Sequence, residues 1–186
     1  MPYPVAPLAL TLFRMLTVRF QRDPYSGEGA RLLGGRWNAR GTPALYLATD
    51  PATAVAEFYQ GLPKPGTLAP YSLAASAIAD LTDGQGGPAD ATVEHACTAA
   101  WKAMAAKPGR APPSWSLAEA LIGQGAEGAL VPSVQNRGGV CLVLWRWHGA
   151  RDAAAIDARP GMGPDTGPDA GAALTLIDPE QALRAP

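Results

Sequence analysis

Apolar residues along this chain alternate with polar ones in several short runs and take helical spacing in others, which predicts strands and helices interleaved. Leu10–Leu16 is almost continuously apolar and predicts a buried strand from which Arg14 projects; residues 1–9, broken by Pro2, Pro4 and Pro7, read as loose. Thr42–Ala48 alternates, with Leu45 and Leu47 on one face and Ala44, Tyr46 and Ala48 on the other, and predicts a second strand. Asp50 can cap a helix whose first turn holds Pro51 and which Gly61 can end; Ala52, Val55, Ala56 and Tyr59 form its expected core stripe, with Glu57 just off it. Leu68–Ile78 reads as one or two strands, Asp83–Pro88 as a surface loop, and Thr92–Ala106 as a helix. A further helix is expected from an S-x-x-E capping box, Ser116 with Glu119, to Gly123 or Gly125. Gly128–Pro132 and Val140–Trp147 predict two strands of a central sheet, residues 157–171 a proline- and glycine-rich loop, and Ala172–Ile177 a last strand. The result is an α+β chain, a central sheet flanked by short helices, without internal repeats.

A length of 186 residues fits one domain, 1–186, able to bury a substantial core. With 15 Lys+Arg against 16 Asp+Glu the formal charge is −1, which disfavours nucleic acid as a partner. The charge is uneven, however: Arg14, Arg19, Arg22, Arg31, Arg36 and Arg40 face only Asp23 and Glu28 in the same stretch, a local excess that suits a small polyphosphate. Cys97 and Cys141 stand far apart in apolar surroundings and read as packed thiols, which argues against a zinc site or a disulfide scaffold. No run approaches the length of a membrane span and the N-terminus lacks a basic start, so the chain is expected to be cytoplasmic.

Most of the candidate chemistry lies between Ser26 and Glu57. Gly34-Gly35 before Arg36-Trp37-Asn38 suits a tight loop that approaches a ligand, with Trp37 to stack, Arg36 to pair with an anion and Asn38 to read an amide or ribose; the same residues could equally form a hairpin turn. Arg14 inside an apolar strand needs either a carboxylate partner or a ligand. Tyr46 could lie over a ligand or simply pack, and Glu57 could be an ordinary solvated glutamate. The Gly-Gly pair is not the dinucleotide-binding fingerprint, because no strand–turn–helix surrounds it, and His95 has no Cys or Asp placed to make a triad.

The run Ser26–Asn38 (SGEGARLLGGRWN), with Tyr46 and Glu57 at their spacings, Arg14 upstream, and Trp115-Ser116 and Gly128–Ser133 downstream, resembles the RES-domain family, toxin halves of bacterial toxin–antitoxin (RES/Xre) pairs. The resemblance implies an ADP-ribosyltransferase-like fold with a mixed or antiparallel β core. It implies binding of NAD+ without a metal and cleavage of its nicotinamide–ribose bond, with ADP-ribose passing to a host protein, to water or to phosphate and growth arrested. It places Arg14 and Arg36 on phosphate and ribose, Tyr46 on nicotinamide, Glu57 at the transition state and Ser116 in a polar contact, with Trp37 and Asn38 in the NAD-binding loop, more as shapers of the loop than as ligand contacts. Ser133 and Asn136 rank behind these and can serve only to end a strand. The implied partner is a cognate Xre-type antitoxin that blocks the cleft. The alternative class is a non-catalytic module that binds a peptide or protein in an Arg/Trp cleft; an RNA-binding surface built on Trp37 and Trp115 is disfavoured by the charge.

Overall fold

The computed structural model describes residues 3–60, 64–107, 109–149 and 171–178. Seven strands, five α-helices and a 3-10 turn at Val18–Phe20 occur among them: β1 Val5–Thr17, α1 Glu28–Leu33, β2 Leu45–Ala48, α2 Pro51–Tyr59, β3 Gly66–Asp80, α3 Ala91–Thr98, α4 Trp101–Ala105, α5 Pro113–Gly123, β4 Gly128–Pro132, β5 Val140–Leu144, β6 Trp147–Gly149 and β7 Ala172–Leu176. The strand order is β1-β2-β5-β4-β3-β7-β6, and β1 also pairs with β3, so the first five strands close into a barrel from which β7 and β6 extend. The β3–β4 and β6–β7 pairs are parallel and the others antiparallel, which makes the sheet mixed. This is the α+β architecture with a mixed core that the sequence predicts.

Strand alternation divides the core in two. One face of the strands contributes Leu12, Leu16, Leu45, Leu47, Tyr71, Leu73, Leu142 and Leu144 to the barrel interior. The other carries Ala48, Ala79, Val131, Cys141 and Val143, packed under α3 and α5 through Val93, Ala96, Ala118 and Leu121. All of these are buried, and burying such side chains contributes roughly 1.5–3 kcal/mol each for the larger aliphatics.

Several boundaries differ from expectation. The N-terminal residues are not loose: β1 starts at Val5, because twelve of its residues pair with β3, from Val5↔Ala79 to Thr17↔Gly66. Pro7, which has no N–H to donate, falls where the register shifts between Ala6 and Leu8, so the ladder passes it as a bulge. Leu68–Ile78 belongs to one strand of 15 residues. The helix expected over 92–106 breaks into α3 and α4 at Ala99, whose backbone is extended. The strand expected over 140–147 ends at Leu144, because Trp145 and Arg146 both turn their N–H groups to the Glu127 carbonyl, at 2.9 and 3.2 Å. The capping box is absent: α5 starts at Pro113, and Ser116 is an exposed residue within the helix. Gly61, the expected helix terminator, and residues 157–170 of the expected loop lie outside the described residues; α2 closes on Gln60 in the left-handed conformation.

The inward face of α2 is also rotated from its apolar stripe. Thr53 and Ala54 are its buried residues whereas Ala52 is exposed, so the inward positions run through Thr53, Ala54, Glu57 and Phe58. Polar anchors account for this. Asp50 accepts from Thr53 N at 2.8 Å and from Thr53 Oγ1 at 2.6 Å, and that pairing turns Thr53, three residues on, toward the protein.

Glu127 holds β3 at the point where its partner changes. The last β3–β7 pair is Ala74↔Ala173 and the first β3–β4 pair is Ile78↔Gly128, which leaves Ala75, Ser76 and Ala77 between the two. The buried Glu127 carboxylate accepts from Ser76 N at 2.9 Å, Ser76 Oγ at 2.7 Å and Ala77 N at 3.3 Å, replacing the missing ladder. Glu127→Ala is expected to cost about 2–3 kcal/mol, through donors left unsatisfied, and to lower the melting temperature by roughly 5–10 °C. Glu127→Gln, which keeps an acceptor, is expected to lose less; calorimetric melting of both variants checks this.

Candidate functional site

A cleft of about 690 Å³ opens against the helix-bearing face of the sheet. Its wall includes Arg36 from the loop after α1, Tyr46 from β2, Glu57 and Phe58 from α2, and Trp101 and Lys102 from α4. The volume lies within the roughly 300–1,000 Å³ of small-molecule sites.

The loop Gly35–Asn38 is fixed from all sides. Its consecutive carbonyls are each taken by a different side chain: Trp115 Nε1 donates to Gly35 O at 2.9 Å, Ser114 Oγ donates to Arg36 O, and Trp145 Nε1 donates to Trp37 O at 2.9 Å. The Trp37 N–H donates to Tyr46 Oη at 3.0 Å, and that hydroxyl donates to Asn38 Oδ1 at 2.7 Å. Asn38 Nδ2 in turn donates to Ala30 O and Thr42 O, both at 2.9 Å. Gly35 must lack a side chain, since a Cβ there would run into the Tyr46 hydroxyl and the Asn38 amide. These bonds tie Trp37 and Asn38 into the framework of the loop itself. Trp37 is only 2% exposed, too buried to serve as a stacking platform, and Asn38 has its donors and its acceptor engaged within the protein. Tyr46 contributes a ring wall, while its hydroxyl is committed to the loop.

The structure brings together Arg36, Tyr46 and Glu57 of the residues singled out from the sequence. One amino nitrogen of Arg36 donates to Ala96 O at 3.1 Å and Ala99 O at 3.0 Å, capping the end of α3. Its Nε and second amino group have no hydrogen-bond partner among the described residues, which leaves one edge of the guanidinium for an anion. Burial holds the Arg36 pKa below its ordinary value, partly offset by Cys97, Glu57 and Tyr46. Glu57 is oriented through a single oxygen: Oε1 accepts from Ser133 Oγ at 2.7 Å, Val134 N at 3.1 Å and Gln135 N at 3.3 Å, while Oε2 accepts from no group among the described residues.

Arg14 is placed differently from expectation. Though it borders the cleft, it shares the parity of Leu12 and Leu16, and its guanidinium donates to Pro24 O at 3.0 Å and Ser26 O at 3.1 Å. Tyr71 Oη donates to the same Pro24 carbonyl at 2.8 Å, so Arg14 and Tyr71 fasten the entrance to the site loop. Burial lowers the Arg14 pKa and pushes that of Tyr71 up to about 12. Among the described side chains, Arg22, Arg31 and Arg40 are not part of the cleft wall: Arg31 pairs with Glu28, Arg40 donates to Leu33 O and Arg22 is exposed, while the Arg19 side chain lies outside what is described.

Ser116 is exposed on α5 and is not part of the cleft wall. The motif's neighbouring Ser114 is the buried serine that reaches the loop, and Ser133, ranked low from the sequence, is the one that binds Glu57. Lys102 and Trp145 have no role in the sequence pattern: an alanine-rich helix does not show which face meets a cleft, and a tryptophan after a strand does not show where its N–H goes. Cys141 lines the cleft beside Ser133 and Glu57, with its thiol pushed up to about 12, chiefly by burial. Among the described residues no helix is long and apolar enough to cross a membrane.

The structure is a small closed barrel carrying helices on one side, with a carboxylate and a guanidinium lining one cleft. Residues 11–163 match the RES domain, and the chain belongs to the RES-domain family. It is 42% identical to Toxin Res of Photorhabdus laumondii over 48 residues, 26% of this chain and 31% of that protein. It is 33% identical to Toxin Res of Yersinia enterocolitica over 64 residues, 34% of this chain and 42% of that protein. The matched segments thus span less than half of either relative's length. The fold is that of a chain in the crystal structure of the M. tuberculosis MbcT–MbcA toxin–antitoxin complex, with a TM-score of 0.51, 24% identity and 76% of each chain covered.

The phenol groups predict an alkaline limit on stability. Burial raises the pKa of both Tyr46 and Tyr71, so above pH ~10 the unfolded chain releases protons that the folded chain keeps. Stability is therefore expected to be unaffected by these groups below pH ~10 and to fall as pH rises toward ~12. Denaturant unfolding at stepped pH, with ultraviolet titration of the phenols, measures it.

Proposed function

We propose that this chain is the toxin of a toxin–antitoxin pair, and that its cleft binds NAD+ and cleaves the bond between ribose C1′ and the nicotinamide nitrogen. The observation that carries this reading is Glu57, a carboxylate pinned through Oε1 and left with Oε2 unbonded in a cleft it shares with a half-engaged arginine. The nicotinamide of NAD+ leaves with the bonding pair, which neutralises its ring nitrogen, so no acid is required on the leaving side. A ribose with oxocarbenium character remains, and a fixed carboxylate opposes that positive charge and can take the proton of an attacking hydroxyl. Water, phosphate or a protein side chain can supply that hydroxyl.

In this reading Arg36 offers the free edge of its guanidinium to the diphosphate, and Lys102 is the second cation of the wall. Tyr46 presents its ring to nicotinamide. Arg14 acts through the Pro24–Ser26 backbone. The proposed partner is an antitoxin that covers the cleft, and exposed apolar residues at its edge suit a protein: Val134 lines it at 48% exposure, and Leu33, at 73%, directly precedes Gly34 of the wall.

Incubation of the purified chain with NAD+ is expected to release nicotinamide, read by chromatography; no release at any enzyme concentration rejects the catalytic reading. Glu57→Gln keeps the shape and removes the charge, and is expected to lower turnover about a hundredfold or more while NAD+ binding persists. Turnover near that of the unmodified chain in a folded Glu57→Gln variant removes Glu57 from the chemistry. In the complex with its antitoxin, hydrogen exchange is expected to slow at residues 34–38 and 133–135 and NAD+ turnover to cease; protection confined to a remote face places the partner elsewhere.

A further inference from the structure

Glu57 owes its fixed oxygen to the loop between β4 and β5, and that loop is tied a second time to the helix that carries Glu57. At its near end, Ser133 Oγ, Val134 N and Gln135 N donate to Glu57 Oε1. At its far end, Asn136 Nδ2 donates to Thr53 Oγ1 at 2.7 Å, and Thr53 Oγ1 donates to Asp50 Oδ2 at 2.6 Å. Between the two, the Asn136 N–H donates to Ser133 Oγ at 3.0 Å. The bonds form a circuit that leaves α2 at Asp50, runs through Thr53, Asn136 and Ser133, and returns to α2 at Glu57.

Each polar atom of the circuit has its direction set by its neighbours. Ser133 has one hydroxyl proton, which goes to Glu57, and its oxygen receives the Asn136 N–H. Thr53 is fully buried; its proton goes to Asp50 and its oxygen receives the Asn136 amide. The loop is shaped around this contact at Gly139, which closes it by donating its N–H to Asn136 O at 2.9 Å. A Cβ at Gly139 would collide with Thr53 Oγ1 and press on Asn136 Nδ2.

The geometry points to Thr53 and Asn136 as positioning residues that hold the Ser133–Gln135 donors on Glu57 and so orient its carboxylate toward the ligand. The catalytic part of this inference rests on the reading given under Proposed function; the structural part does not. Neither residue needs to touch ligand. Their effect is to keep Oε1 occupied, so that the unbonded Oε2 is the oxygen presented to whatever enters the cleft.

The test uses Thr53→Val, which keeps the shape and removes the hydroxyl, Thr53→Ser, which restores it, and Asn136→Ala in the loop, whose fold is less at risk. In folded Thr53→Val or Asn136→Ala protein, hydrogen exchange at the Val134 and Gln135 amides is expected to quicken about tenfold or more while amides of β5 keep their rates, with Thr53→Ser close to the unmodified chain. The kcat for nicotinamide release is expected to fall at least tenfold with KM for NAD+ changed less than about threefold, because the interaction lost belongs to the transition state. Unaltered exchange at Val134 and Gln135 in Asn136→Ala overturns the inference, as does quickened exchange with full kcat. Quickened exchange in a protein whose unmodified form releases no nicotinamide leaves the two-ended tether established and instead rejects the NAD+ reading.

Discussion

Three adjacent peptide carbonyls, those of Gly35, Arg36 and Trp37, set the geometry on which the cleft depends. In a free loop they would face water. Here two indoles and one hydroxyl, from α5 and from the residue that follows β5, take them one by one. Buried carbonyls without donors would cost about 1–3 kcal/mol each, so the loop conformation and the positions of α5 and Trp145 stand or fall together. Arg36 is thereby aimed from a rigid base: its backbone is held by Ser114, its side chain by the end of α3, and what remains of its guanidinium faces the cleft.

Glu57 is fixed by the complementary means. It sits in the last turn of a helix whose own start is capped by Asp50, and its carboxylate is met by a loop from the opposite side of the cleft. Neither charged group relies on the other for its place. An arginine and a glutamate that bound each other would close the site; here protein hydrogen bonds hold each separately, so both retain an unspent edge. Keeping opposite charges apart in a partly buried cleft is costly without a ligand, which is a reason for so many anchors.

The sheet was largely legible from the sequence because alternation over β2 and apolar continuity over β4 and β5 report directly on how strands are buried. The closing of the barrel was not, since nothing local in Val5–Thr17 states that it pairs along its length with Gly66–Asp80. Of the site, Arg36, Tyr46 and Glu57 stood out through a motif that keeps them at recognisable spacing. The errors arise where hydrogen bonds and helix starts, near or far in the chain, override the apolar spacing. Asp50 and Asn136 turn Thr53 inward against the apolar stripe of α2, and Pro113 begins α5 before the serine that resembles a cap. Arg14 satisfied its charge on backbone carbonyls, a third outcome beside the carboxylate or ligand expected for it. Ser133 looked like the end of a strand, and it is one; its hydroxyl simply has a second use.

The clamps on the loop also order its appearance in time. Their donors lie 80, 78 and 108 residues downstream of the carbonyls they bind. During synthesis Arg36 and Glu57 leave the ribosome long before Ser114, Trp115, Ser133 and Trp145 exist. A nascent chain therefore carries the site's charged residues without the site. The third clamp on the loop forms only once the last indole is in hand, so the interval in which a fresh chain lacks the complete loop framework is set by the distance between Trp37 and Trp145.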